Sequence, residues 1–357
     1  MGNLRKLISL PPVLLLLWGA CIGRSAAQSG PQNPDYGQPQ GPIPLRDPRP
    51  ANLLFLQFLP DNAVPLRNGE VRIGLQLDLI NNLLIPSPRF GATVVEDNEY
   101  QRLLFSWHRG YFHNTELSVY IPVEWRNGGI LDGIIRAYHR LFGLPANAED
   151  DPLGRDHWPM YRSIWQIIDA QGHVLLNQGN AFGLGETTFI VKRGLLPVTS
   201  RGTMAMRFGI KLPTGNTALL LGSGNVDVGL SLDARYILGR NAIVYMNMGG
   251  VLLGHPRHLP HPLGGVGQGA IAIEYRANNR DSFVLQIDAS SPVMRTGNTF
   301  VDQANVTATF GYRRIMDRHT EFYASYSENG DIHNYTLPWL SNIGPDISFS
   351  FGVRWVP

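Results

Sequence analysis

Three sets of side chains have the types and spacing to do chemistry. His255-Pro256-Arg257-His258-Leu259-Pro260-His261 puts three imidazoles into one short stretch, and imidazole ligates Zn, Cu or Ni. Pro256 and Pro260 hold that stretch extended, its spacing fits no closed zinc site, and no carboxylate or thiol stands nearby. His255, His258 and His261 are therefore weak metal candidates, and a solvated, pH-responsive loop is the stronger expectation. Ser106 and His108 share one face of an alternating segment. A nucleophile and base also need an orienting third group at an accessible rim, and none stands out, so no catalytic residue is assigned. The third set is a row of charges of both signs that alternate with apolar residues: Arg72, Asp78, Glu116, Glu124, Arg207, Lys211, Asp227, Asp233, Arg235, Glu274, Arg276 and Arg313, with Arg102, Lys192, Asp288, Glu321 and Arg354 in the same phase.

The elements that carry this row are strands. Val71, Ile73, Leu75, Leu77 and Leu79 alternate with Arg72, Gly74, Gln76 and Asp78, and Met204, Met206, Phe208, Ile210 and Leu212 alternate with Thr203, Arg207, Gly209 and Lys211. Ile347, Phe349, Phe351, Val353 and Trp355 do the same near the end of the chain. Period two is the pattern of a sheet with unlike faces. About twelve such segments occur, most of them the length of a tilted strand crossing a hydrocarbon layer. Short connections (110–113, 197–200, 239–240, 278–281, 315–319) alternate with long ones (81–99, 126–184, 213–224, 254–267, 291–303, 329–345), the asymmetry of an outer-membrane barrel.

A soluble sandwich or lipocalin-like barrel shows the same period but buries its apolar face. Two features favour the membrane. The polar face is rich in Gly, Ser, Thr and Asn, and aromatics stand at strand ends (Trp125, Tyr236, Tyr275, Tyr312, Tyr326, Trp355). The expected fold is all-β, a transmembrane antiparallel barrel over residues 70–357, with its charges enclosed. Twelve strands is intermediate between side-chain-filled and water-filled barrels, so a filled interior or a constricted pore is expected. With 30 Lys+Arg against 28 Asp+Glu in 357 residues, no basic surface for nucleic acid is present. No cofactor is implied.

Residues 1–27 read as a secretory signal: Arg5 and Lys6, the apolar Leu7–Leu17, then Ser25-Ala26-Ala27 before Gln28. Cleavage there removes three basic residues and the single cysteine, Cys21, and takes the formal net charge from +2 to −1. Lipidation at Cys21 is the competing processing route. Residues 28–69 form a Pro-rich N-terminal segment, a linker through Pro50 whose composition cannot build a core. It is followed by an apolar stretch, Leu53–Leu59, that lies against or inside the main body.

The long connection 126–184 contains the one clear helical pattern. Ile134, Ile135, Tyr138, Leu141 and Phe142 recur at helical spacing over Leu131–Pro145, Asp132 can cap the start, and Gly143 with Pro145 ends it. An amphipathic stripe must be buried against something. Two placements are open: against its own loop and the barrel rim, or into the lumen as a gate built from Asp132, Ile135, Tyr138, His139 and Phe142.

Ile347–Trp355 resembles the C-terminal strand by which outer-membrane barrels are recognised for insertion, although Val356-Pro357 follow the last aromatic. Phe208–Asn216 and Leu221–Asp227 resemble the strand–loop–strand of phenol-degradation-type and fatty-acid-transporter-like outer-membrane proteins. Over nearly the whole mature chain the sequence is similar to the bacterial domain-of-unknown-function family 3187, through Gly41-Pro42-Ile43-Pro44, Asp132, His139 and Phe142-Gly143-Leu144-Pro145. The resemblance implies an exported barrel in a Gram-negative outer membrane. It implies outer-membrane lipid and the barrel-assembly machinery as partners, and no catalytic residue. The function expected is a passive channel or binding protein for a small molecule, a hydrophobic one before a sugar. The alternatives are a filled structural or interaction barrel without transport, and a lipid-modifying barrel enzyme.

Overall fold

The computed structural model describes residues 41–84, 91–142, 160–197, 201–256, 258–328 and 347–357, with the side chains of Tyr138, His139 and Phe142 outside that description. The leader, Cys21 and residues 28–40 fall outside the described residues, as do Gly143-Leu144-Pro145 and Arg257.

Twelve strands pair antiparallel into a closed ring. They are β1 (Val71–Leu84), β2 (Thr93–Tyr111), β3 (Thr115–Asn127), β7 (Thr188–Gly194), β8 (Gly202–Lys211), β9 (Asp227–Ile237), β10 (Ala242–Leu252), β11 (Gly265–Arg276), β12 (Asp281–Ser290), β13 (Asn305–Ile315), β14 (Thr320–Glu328) and β15 (Ile347–Trp355). The ring closes because β1 pairs with both β2 and β15. In that register Leu77 faces Leu103 and Phe351, while Asp78 faces Arg102 and Ser350. One shift of register would turn every side chain to the other face.

The faces fall as the alternation requires. Leu75, Leu77, Leu103, Phe105, Met206, Phe208, Leu230, Ile271, Leu285, Phe310 and Phe351 are exposed on the outside, and the charged row points inward. Trp125, Tyr275 and Trp355 are exposed at the ends of β3, β11 and β15. Among the described residues no helix is long and apolar enough to cross a membrane. Closure gives each of the twelve strands a paired neighbour on both sides, as lipid demands.

The region 126–184 holds more than a helix. It contains α2 (Asp132–Phe142), β4 (Ile164–Ile168), β5 (Val174–Gln178) and β6 (Ala181–Leu184). Strand β2 extends past the ring, and its residues 93–97 pair with β4. Strand β6 pairs with the far end of β3 and β7 with its near end. Across the break between them the N–H of Gly185 donates to Pro122 O (2.9 Å).

The long-loop end is covered by a core of ordinary polarity. Leu84, Val94, Trp165, Ile167, Leu176, Leu253, Leu259, Val266, Val293, Met294 and Val301 are buried together there with Leu54, Phe55, Leu56 and Phe58 of the N-terminal segment. That segment is the main departure from the linker expected through Pro50. Residues 41–44 and 47–59 are mostly buried, and α1 (Pro50–Leu53) is fully so. Its Pro-rich sequence builds no core of its own; it fills the cavity of another element.

Candidate functional site

The candidate site is the lumen with the N-terminal hairpin inside it. The first limb enters at the short-turn end, where the N–H of Gly41 donates to Glu274 Oε2 (3.4 Å) and Arg313 Nη2 donates to Pro42 O (2.6 Å). It runs to the far end, where Asp47 accepts from Asn305 Nδ2 (3.1 Å) and from Ser290 Oγ. After α1 the chain descends. Lys211 Nζ donates to Leu54 O (2.8 Å), the N–H of Leu56 to Asp227 Oδ2 (2.8 Å), and Arg207 Nη1 to Leu59 O (2.6 Å). The N–H of Leu66 donates to Glu116 Oε2 (2.9 Å) just before the chain enters β1.

A segment in this place has no neighbouring strand to satisfy its backbone, and buried amides must still be paired. Two glutamines of the wall meet that need. Gln286 Oε1 accepts from the N–H of Ile43 (2.9 Å) while its Nε2 donates to Ile43 O (3.0 Å). Gln268 Oε1 accepts from the N–H of Phe58 (2.8 Å) while its Nε2 donates to Leu56 O (3.0 Å). Each carboxamide imitates one rung of a ladder. Prolines 42, 44, 48, 50 and 60 further reduce the demand, because they carry no N–H.

The wall is also shaped to the hairpin. A Cβ on Gly209 would meet hairpin atoms first, 2.9 Å from Phe58 Cε1 and 3.3 Å from Leu56 Cδ2. On Gly311 it would lie 2.6 Å from Ile43 Cδ1. Arg207 stacks its guanidinium over the Phe58 ring (5.2 Å), and Lys211 sits over Phe55 (5.5 Å).

Of the charges expected to line the lumen, Asp78, Glu116, Glu124, Arg207, Lys211, Asp227, Asp233, Arg235, Glu274 and Arg313 are buried, and Arg72 and Arg276 are half-buried. Most meet opposite charges: Arg102 with Asp78 (2.6 Å), Arg207 with Asp233 (2.7 Å), Lys211 with Asp227 (3.0 Å), Arg313 with Glu321 (2.6 Å), and Arg72 with Glu116 (3.6 Å). Pairing is what keeps buried charges tolerable. Others bind polar groups. Glu274 accepts from Tyr245 Oη (2.7 Å) and Ser282 Oγ (2.8 Å), and Arg235 donates to Thr203 Oγ1 (3.2 Å). Sequence reasoning missed Asp61, which pairs with Lys192 at 2.5 Å, and Glu186, which pairs with Lys211. It also missed Arg126, which donates to Tyr100 Oη (3.0 Å) and Leu219 O (2.9 Å). Asp61 lies ahead of the first alternating segment, whereas Arg126 continues the phase of Glu116 and Glu124 one step past Trp125, and Glu186 shares the phase of Lys192 at the start of its segment.

Between the hairpin and the wall a cavity of about 60 Å³ remains, room for a few waters. Asp288, Asn305, Thr307, Ser327, Ser348 and Ser350 line its wall side. A smaller cavity of about 20 Å³ lies toward the short-turn end beside Arg72, His108 and Tyr120, and Pro60 borders both.

The other sequence candidates fall elsewhere. Both Glu116 Oε1 (3.1 Å) and Ser118 Oγ (2.8 Å) meet His108 at the same nitrogen, Nδ1, whereas a base relay uses the two ring nitrogens for different partners. Ser106 lies over Gly74 of β1. His255, His258 and His261 are exposed, and among the described residues no group of three His, Cys, Asp or Glu is arranged to hold a metal.

Of the two placements open for α2, its contacts are those of the barrel rim, and the luminal gate is corrected. Ile135 and Leu131 pack with Ile347, Leu79, Tyr326 and Phe349, and Leu79 and Phe349 belong to the outward rows. The helix therefore lies on the outside of the barrel. Asp132 does not cap it as expected: Asp132 Oδ1 accepts from Asn81 Nδ2 (3.1 Å) and Oδ2 from the N–H of Tyr161 (2.6 Å), which fastens the helix start to β1. The N–H of Leu131 donates to Glu99 of β2. The side chains of Tyr138, His139 and Phe142 lie outside the described residues.

A family model described as "Protein of unknown function (DUF3187)" matches residues 54–352. No curated protein matches the sequence. Among solved structures, an outer membrane channel from Pseudomonas putida F1 is similar at TM-score 0.56 and 11% identity, over 84% of this chain and 100% of that one. The NanC porin gives 0.41 at 9% identity, over 78% and 98%. The P. putida toluene transporter TodX gives 0.33 at 10% identity, over 86% and 91%. At these identities the first likeness speaks for the fold, an outer-membrane type of β-barrel, and for nothing finer.

Proposed function

The chain belongs to the DUF3187 family, and from its barrel and luminal hairpin we propose a passive outer-membrane channel that its own N-terminal segment keeps narrow. Residues 1–27 direct export, the barrel-assembly machinery inserts the strands, and the long loops face outward from a Gram-negative cell. The observation that carries this reading is the hairpin of residues 41–66. It is bound largely through side chains of the wall and leaves a cavity beside it. Carboxamide and cation contacts are separable without opening the barrel ladder, so the hairpin can shift while the ring stays closed. The lining mixes Leu45, Leu53, Met248 and Ala270 with Asp288, Thr307 and Ser350, so the cavity by itself does not choose between a polar solute and the hydrophobic one expected from the resemblance.

The test is conductance of the refolded chain in planar bilayers. Gly209→Val and Gly311→Val together should expel the hairpin, because their added atoms meet it first. The unsubstituted protein should show small steps or none, and the double variant clearly larger ones. If both proteins fold as barrels and neither conducts, the filled structural barrel is the right description. Liposome swelling with neutral, anionic and cationic solutes then ranks the cargo.

A further inference from the structure

Helix α2 turns one apolar face to the barrel and a second away from it. Leu131 and Ile135 are buried on the outward wall. Ile134 and Leu141 are 59% and 78% exposed. Seven positions apart, they lie within about 20° of each other around the helix axis, with the exposed Ala137 beside them. Arg136 and Arg140 stand one turn apart on another arc, about 120–160° from Ile134. Arg140 is exposed, and its Nε donates to Arg136 O (3.4 Å).

The position of this helix selects its partner. Leu79 and Phe349, on which it rests, continue the outward rows that hold the exposed Leu77 and Phe351. The second face of α2 is thus continuous with the apolar belt at its long-loop edge. A helix with apolar side chains on one arc and arginines on the other lies in the plane of a lipid interface.

We infer that α2 is an interfacial anchor. Ile134, Ala137 and Leu141 dock among the acyl chains of the leaflet on the long-loop side, while Arg136 and Arg140 meet its net-negative headgroups. This rests on the membrane placement proposed above. It gives the longest connection a lipid-binding role in place of a luminal one.

Site-directed spin labels test it on the full barrel carrying Cys21→Ser, reconstituted in vesicles of phosphatidylcholine and phosphatidylglycerol. Labels are placed at Leu141→Cys and Arg140→Cys, with Leu285→Cys in the belt as the control. The labels at 141 and 285 should be relaxed several-fold more by oxygen than by a water-soluble nickel chelate, and the label at 140 the reverse. Chelate access at 141 with oxygen access at 285 overturns the anchor and leaves the membrane barrel standing. Chelate access at all three overturns the membrane placement itself. Shielding of 141 from both reagents means that a protein surface, such as a second copy, covers the helix, and the lipid anchor fails. In phosphatidylcholine alone, which lacks a net negative headgroup, the label at 141 should become more mobile; unchanged mobility overturns the anionic-headgroup role of the two arginines.

Discussion

The middle of the barrel and its long-loop end are built with opposite polarity. In the middle, Leu75, Leu285 and Phe351 point out and Asp78, Arg102 and Gln286 point in. At the end, Trp165, Ile167 and Val301 point in and meet the apex of the hairpin. One chain follows the lipid rule and the water rule within a few residues of the same strand: β2 carries outward Leu103 and Phe105 in the ring, and inward Val94 where it reaches β4. The surrounding solvent, more than the strand itself, decides which face is apolar.

The largest effect that would sharpen this contrast is expected at Trp165. It is fully buried, and Trp165→Ala should cost the cap roughly 3–5 kcal/mol, read as early protease cleavage of the long loops while the ring remains heat-resistant. Next is Leu285→Arg, at a position 62% exposed. It should destabilise the barrel by about 2–4 kcal/mol when unfolding is measured in lipid vesicles, if the side chain sits near the bilayer midplane. An unaffected midpoint would mean that this face meets water. Gln286→Ala removes both clasps on Ile43 and leaves its amide buried, a loss of about 1–3 kcal/mol, visible as faster hydrogen exchange at the N–H of Ile43.

The smallest effect belongs to the turn after β13. Asp317 accepts from the N–H groups of His319 and Thr320, each at 2.8 Å. The backbone of His319 foremost holds this carboxyl below its usual range. A depressed carboxylate helps the fold above its unfolded pKa of about 3.9 and loses that help as pH falls further. Asp317→Asn should therefore soften the turn at neutral pH and erase its acid dependence. Amide exchange at Thr320 between pH 3 and 7 reads this out.

The ring was largely legible because each strand carries two signals at once, a row such as Leu75-Leu77-Leu79 and a row such as Gln76-Asp78, and period two separates them. Of the hairpin only the apolar second limb, Leu53–Leu59, was expected against or inside the body; the first limb was not legible. Pro42, Pro44 and Pro48 carry no period, and the partners that hold the segment, Gln268 and Gln286, resemble any polar residue of a lumen face. Gly209 and Gly311 are indistinguishable in sequence from the other glycines of the polar face, although they are the spaces that receive Phe58 and Ile43. For α2, periodicity announced a face to be buried but not the surface that would bury it. Leu79 and Phe349 were already accounted for by lipid.

Enclosure of residues 41–66 also constrains the order of assembly. The stretch lies ahead of β1, and the ring shuts only when β15, at the opposite terminus, joins β1 along the seam from Ile73↔Trp355 to Asn81↔Ile347. An insert that is synthesised first and enclosed last need not be threaded through a finished tube. It can be laid against the growing wall and sealed in by the final zippering step.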